Sequence, residues 1–107
     1  MTIKEEMQKL ADRMNADPGP IASLNAVYEF VLEDNRTLQA RFLGGRVDLF
    51  DGAPHSASCR LTLKEETLLK LLHRRLNVAA AYMAGELKFE GHMLTAFRLQ
   101  EALKAYV

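Results

Sequence analysis

The chain has 107 residues, 49% hydrophobic and 26% charged, with 14 Lys+Arg balancing 14 Asp+Glu to a formal net charge of zero. That is the make-up of one globular domain able to bury a core, and it excludes a disordered or low-complexity chain. With no basic excess, neither nucleic-acid binding nor electrostatic docking on an anionic membrane is expected.

Thr2 followed by Glu5 reads as a capping box. Ile3, Met7, Leu10 and Met14 then recur on one stripe, which predicts a helix over residues 3–15. Asp17-Pro18-Gly19-Pro20 stops it. The period changes next to that of strands. Ala26, Tyr28, Phe30 and Leu32 share one face, and Asp34-Asn35 makes a turn. Leu38, Ala40 and Phe42 alternate with polar neighbours up to Gly44-Gly45, a turn that tolerates positive φ. Val47 and Leu49 alternate up to Asp51-Gly52-Ala53-Pro54. Ala57, Cys59, Leu61 and Leu63 give the cleanest alternation, so four strands are expected, each with one buried face. Helical period returns with Leu68, Leu69, Leu71, Leu72 and Leu76. Residues 78–84 form a short, almost wholly apolar helical segment ended by Gly85. Glu86–Glu90 is a short strand with Leu87 and Phe89 inward, and residues 92–105 form the last helix. The order is α-β-β-β-β-α-α-β-α in a single domain spanning residues 1–107, without internal repeats.

Few residues suggest chemistry. His55, His73 and His92 are scattered, and none has a metal-ligand spacing. Cys59 is a lone thiol on an apolar strand face, which suits a buried, inert position and a reducing compartment. Gly85 and Gly91 punctuate a strand and lack the lysine and hydroxyl of a phosphate loop. With no nucleophile–base pair, catalysis, metals and cofactors are not expected. The longest apolar run is far short of the ~20 residues that span a bilayer, and the acidic N-terminal stretch has no signal core. The expectation is a cytoplasmic protein without a stable membrane anchor. The glycosylation sequon Asn35-Arg36-Thr37 carries little weight there.

The informative feature is the last helix. At about 100° per residue, Met93, Ala96, Phe97, Leu99, Ala102, Leu103 and Tyr106 span roughly 220°, wider than an ordinary amphipathic stripe. Such a helix needs a second apolar body: a neighbouring helix, another chain or a ligand. Residues 78–84 share the property, and the two segments covering one another is one solution. Gln100 sits inside the arc. Its amide needs a partner, either the backbone or a ligand that it orients.

The run Asn77-Val78-Ala79-Ala80-Ala81-Tyr82-Met83-Ala84-Gly85-Glu86-Leu87-Lys88-Phe89-Glu90-Gly91-His92-Met93 resembles a signature of the sterol carrier protein-2 domain. Leu99-Gln100 near the end of the last helix is similar, as is Ser58-Cys59-Arg60-Leu61-Thr62-Leu63 before an acidic pair and a Leu-rich helix. The aromatic first strand after an N-terminal helix also fits. Two positions depart from the pattern: His92 stands where Asp or Asn is usual, and Val78 where proline is common. The ending Ala105-Tyr106-Val107 is not the Ser-Lys-Leu type of tripeptide found in peroxisomal members.

The resemblance implies an α+β fold, a mixed, mainly antiparallel five-stranded sheet covered on one face by helices. It also implies an apolar tunnel between sheet and C-terminal helices for a sterol, fatty acid or fatty acyl-CoA. Phe42, Leu72, Val78, Tyr82, Met83, Phe89, Met93, Phe97, Gln100 and Leu103 are the expected lining, with Gln100 and Tyr82 as polar contacts and the last helix, weakly capped by His92, as a lid. The alternative is an accessory or dimerisation module beside an enzyme acting on hydrophobic substrates. Its surface would be Val27, Val31, Leu43 and Phe50 on the other sheet face, unless these pack under the first helix.

Overall fold

The Thr2 side chain accepts the Glu5 amide while Glu5 reaches back to the Thr2 amide, so the capping box opens helix α1 (Ile3–Ala16) as the sequence predicts. The computed structural model describes residues 2–107. Strands β1 (Ala26–Val31), β2 (Thr37–Leu43), β3 (Arg46–Asp51) and β4 (Cys59–Leu63) follow, then α2 (Glu65–Leu72), α3 (Val78–Met83), β5 (Leu87–Gly91) and α4 (Met93–Leu103). Single 3-10 turns at Gly19–Ile21 and Glu33–Asn35 supplement the predicted order.

The sheet runs β3-β2-β1-β4-β5. Only β1 and β4 are parallel; the other neighbours are antiparallel. Both hairpins turn through left-handed pairs, Asp34 (φ 64°) with Asn35 (φ 62°) and Gly44 (φ 61°) with Gly45 (φ 77°). Such pairs match the right-handed twist of the strands they join. Tyr28, Phe30, Leu38, Ala40, Phe42 and Leu61 are buried on the face that carries the helices.

The opposite face has its own cover, which the sequence does not announce. Because β4 pairs with β1, the chain leaving β3 must pass over β2 and β1 before it enters the sheet again. Residues 52–58 make that crossing on the side away from the helices. Gln39, fully buried, holds it down. Its Nε2 donates to the His55 carbonyl at 2.8 Å, and its Oε1 accepts the His55 amide at 3.1 Å. The side-chain amide thus pairs with the strap's main chain as a strand would. Gln39 belongs to a row that crosses all five strands in register: Phe50, Gln39, Glu29, Arg60, Glu90. Gln39 Nε2 also donates to Glu29 at 2.8 Å, and Arg60 donates to Glu29 at 2.7 Å and to Glu90 at 2.6 Å. Glu29 is buried, and its hydrogen bonds offset the cost of placing a carboxylate there.

Two expectations change. Val27, Val31, Leu43 and Phe50 do not form one apolar patch, and of the four only Phe50 lies beside α1, lining a groove with Lys4, Glu5 and Gln8. Val27 and Val31 flank the buried Glu29, and Phe50 packs edge-on against His55, ring centroids 4.5 Å apart. Leu43 alone of the four is strongly exposed, at 62%. The Leu-rich helix also stops earlier than its periodicity suggests. α2 ends at Leu72, Arg74 turns left-handed (φ 60°), and Leu76 lies half-buried in the linker. The reason is the next helix start: Asn77 caps α3 by accepting the Ala80 amide at 2.9 Å, so the chain must turn between residues 73 and 77.

Gly91 is required where β5 meets β4. Its φ is 107°, and a Cβ there would lie 2.5 Å from the Ser58 carbonyl oxygen. Only glycine allows that approach.

Candidate functional site: an apolar cavity and the helix that closes it

Between the sheet and the helices lies a cavity of about 30 Å³. Its wall comprises Met7, Leu10, Ala11 and Met14 of α1, Phe30, Ala40, Phe42, Val47 and Leu49 of the first three strands, Leu72 of α2, and Leu99 and Leu103 of α4. Every lining residue is apolar. The volume suits one or two waters by size alone, but a water needs polar partners that this wall does not offer. Pockets that hold small-molecule ligands start near ~300 Å³.

α4 forms one wall of the cavity. At its start His92 makes no side-chain capping bond. The Tyr28 hydroxyl donates to the Thr95 carbonyl at 2.6 Å. Burial, with a further contribution from Cys59, pushes that hydroxyl's pKa above its ordinary value, against the lowering influence of Arg98. Gln100 Oε1 accepts the Val78 amide at 2.8 Å, tying α4 to the start of α3. Beyond the helix, the Tyr106 hydroxyl donates to the Asp17 carbonyl at 2.6 Å. Its pKa is also raised, by burial first and by the Asp17 charge second.

The ten residues expected to line a site separate in space. Phe42, Leu72 and Leu103 meet at the cavity. Phe97 lines an open surface groove of about 500 Å³ with Pro20, Leu24, Leu94, Arg98 and others. Gln100 lines another groove, of about 370 Å³, with Leu71, Arg74, Arg75, Leu76, Asn77 and Lys104. Val78 is buried, Phe89 and Met93 are half-buried, and Tyr82 and Met83 are exposed at 48% and 85%. Of the two partners open to Gln100, its oxygen takes the backbone. The α1 side chains and the facing residues Phe30, Ala40, Val47, Leu49 and Leu99 were not expected at a cavity. The signal for them was Met7 and Met14, two flexible thioethers on one helical stripe.

Among the described residues, no group of three His, Cys, Asp or Glu side chains is placed to hold a metal ion. No helix is long and apolar enough to cross a membrane. Cys59 is buried, and desolvation pushes its thiol pKa up to about 11, which disfavours the reactive thiolate.

A five-stranded mixed sheet, helices on one face and an all-apolar interior between them define an α+β domain. Residues 7–104 match the model of the SCP-2 sterol transfer family, and the chain belongs to that family. A curated relative, "Oleate-induced peroxisomal protein POX18" of Candida maltosa, is 26% identical over 107 residues, covering 95% of this chain and 84% of that protein. The solution structure of palmitated SCP2L2 from Aedes aegypti superposes with a TM-score of 0.71 at 22% identity, covering 96% of this chain and 95% of that one. The sec-alkylsulfatase Pisa1 from Pseudomonas sp. contains the same fold, with a TM-score of 0.76 at 20% identity over 85% of this chain. This chain spans only 14% of that enzyme's length, so the domain also occurs as a small part of catalytic proteins.

Proposed function

We propose that this domain binds and transfers a long-chain lipid, a sterol, fatty acid or fatty acyl-CoA, in the cytoplasm and without chemical change to it. The observation that carries the reading is the cavity wall: twelve side chains from α1, three strands, α2 and α4 converge without one polar group. The palmitated Aedes relative supports it, since a chain of this fold there holds a fatty acyl chain.

The closed cavity is too small for such a ligand, so binding requires it to grow roughly tenfold, to the ~300 Å³ at which ligand pockets begin. α4 is the element that moves, because its start lacks a side-chain cap. In the open form Leu99 and Leu103 separate from Met7 and Met14. Phe42 and Leu72 stay as the floor. Val78, Phe89, Met93 and Phe97, packed on or beside α4, join the widened wall, with Tyr82, Met83 and Gln100 at its rim. Hiding about 200 Å² of acyl chain yields ~5 kcal/mol, from which the cost of moving and ordering the helix is subtracted. One methylene more or less is worth only ~0.8 kcal/mol, so chain-length selectivity is low.

The test is native mass spectrometry of the protein purified from cells, together with titration by a fluorescent fatty acid. A bound lipid mass and saturable fluorescence are expected. An empty chain that does not bind the probe overturns the reading.

The presence of the fold inside an alkylsulfatase favours a second reading, an accessory or dimerisation module. On that reading Leu43→Lys, at the strongly exposed residue of the four, breaks an assembly seen by light scattering. A wild-type chain that is already monomeric overturns the dimer.

A further inference from the structure

The groove beside Gln100 differs in chemistry from the apolar cavity and from the groove at Phe97. Its lining is Leu71, Arg74, Arg75, Leu76, Asn77, Gln100 and Lys104, three cations with no carboxylate among them. The chain as a whole is neutral, so this is a local concentration of positive charge. Arg74 sits in a left-handed backbone conformation (φ 60°), and its Nη1 donates to the Val107 main-chain oxygen at 3.0 Å. Lys104 pairs with Glu101 at 2.9 Å, while the Arg75 guanidinium has no ion pair among the described residues.

The two amides complete the pattern. Asn77 Oδ1 accepts from the Ala80 amide and Gln100 Oε1 from the Val78 amide, at 2.9 and 2.8 Å. Those bonds orient both amides, because only an oxygen can accept from a main-chain N–H. Each oxygen is thus turned to the main chain, and each amide keeps its NH₂ group as a donor. The groove thus gathers two guanidiniums, the Lys104 ammonium shared with Glu101 at its edge, and two amide NH₂ groups. Such a set matches an oxyanion, and guanidiniums pair with phosphate and carboxylate in forked geometry.

The groove lies next to the apolar cavity, with no lining residue in common. Leu72, Leu99 and Leu103 face the cavity, while their sequence neighbours Leu71, Gln100 and Lys104 face the groove. The C-terminal ends of α2 and α4 thus border the cavity on one side, and on the other the groove, whose cations come from the residues that follow each helix.

We propose that this groove is the site for the anionic head, a phosphate or carboxylate, of the amphiphile whose chain enters the cavity. The proposal rests on the carrier reading above. Arg75 and Lys104 attract the head electrostatically, Arg74 is already held in place by Val107, and the Asn77 and Gln100 NH₂ groups complete its hydrogen bonding. The groove is open to water, so the attraction weakens as salt rises.

The experiment compares dodecyl phosphate, dodecanol and inorganic phosphate on the intact protein. Affinities come from displacement of a fluorescent fatty acid, and the Asn77 and Gln100 side-chain NH₂ signals are followed by nitrogen–proton NMR. Wild-type protein is expected to bind dodecyl phosphate about tenfold more tightly than dodecanol, a gain that shrinks at high ionic strength. Both NH₂ signals shift with the phosphate ester. Arg75→Gln/Lys104→Gln, two exposed positions, abolishes the gain and leaves dodecanol binding unchanged. The salt dependence of the wild type supplies the same test without any variant. Equal affinity for the two amphiphiles in the wild type, or a gain that survives in the double variant, overturns the proposal. Dodecanol binding without a phosphate gain overturns the groove assignment alone and leaves the carrier reading standing. If neither amphiphile binds, the carrier reading falls first and the head site with it. Inorganic phosphate moving the NH₂ signals with no amphiphile gain makes the groove a site for a free anion and overturns its role as a lipid head site.

Discussion

Shortening Leu103 to alanine tests the apolar interior directly. Leu103 is 1% exposed and lines the cavity between α4 and α1. The substitution removes three carbon atoms from contact with Met7, Met14 and Leu72 across a space that is already imperfectly filled. At ~0.8 kcal/mol per buried carbon, the lost burial costs about 2.4 kcal/mol. The residual void adds ~24 cal/mol per Å³, so about 50 Å³ left unfilled adds a further ~1.2 kcal/mol. The expected loss is about 3–4 kcal/mol, read as a lower urea midpoint with an unchanged slope. The enlarged void is apolar and stays dry, so it should accept a guest. Dodecanol at a hundred times its dissociation constant should return about 2.7 kcal/mol, most of what was lost. A loss under 1 kcal/mol would mean that α4 collapses onto α1 and that no persistent void exists. A full loss with no rescue by dodecanol would refute the claim that this interior admits an acyl chain.

Three further outcomes follow from other parts of the molecule. His92→Asp places a carboxylate at the uncapped start of α4, where residue 92 already has extended dihedrals (φ −91°, ψ 119°). It should stabilise the protein by ~1 kcal/mol, raise the melting temperature by several degrees and slow lipid uptake; an unchanged melting temperature contradicts the account of α4's start as weakly capped. Gln39→Leu strands the His55 amide and carbonyl and one Glu29 oxygen, at a cost of about 2–3 kcal/mol. Hydrogen exchange over residues 53–57 should accelerate, and protection equal to wild type would show that the strap is held by something else. Cys59 carries a raised thiol pKa, so the stability it contributes is complete below the ordinary thiol range and is lost as pH climbs towards about 11. The stability difference between wild type and Cys59→Ala should therefore move against the wild type from about pH 8.5 upward, and a pH-independent difference refutes the assignment.

The element types were legible along the chain because local patterns carry them. The capping box at Thr2 and Glu5, the alternation through Cys59, Leu61 and Leu63, and the Asp34-Asn35 and Gly44-Gly45 turns each follow from the geometry of a few consecutive residues. The place of the cavity was not legible in that way. The expected lining was drawn mostly from the C-terminal third, where the apolar arc of α4 is widest, yet of its residues only Phe42, Leu72 and Leu103 reach the cavity. Most of its wall comes from α1 and the first three strands, whose stripes look like ordinary core until the tertiary fold sets them against α4. Gln39 was read only as one of the polar residues alternating along its strand. It becomes a buried fastener because the β3-to-β4 crossing passes above it.

The sequence by itself determined which segments are helices and strands, which face of each is apolar, and the family, because these depend on periodicity and on motifs of near neighbours. The tertiary structure decided which apolar faces meet around a void, which sheet face the strap covers, and which cations and amides gather beside Gln100. Those depend on residues far apart in the chain, and the parallel pairing of β1 with β4 is the step that brings them together.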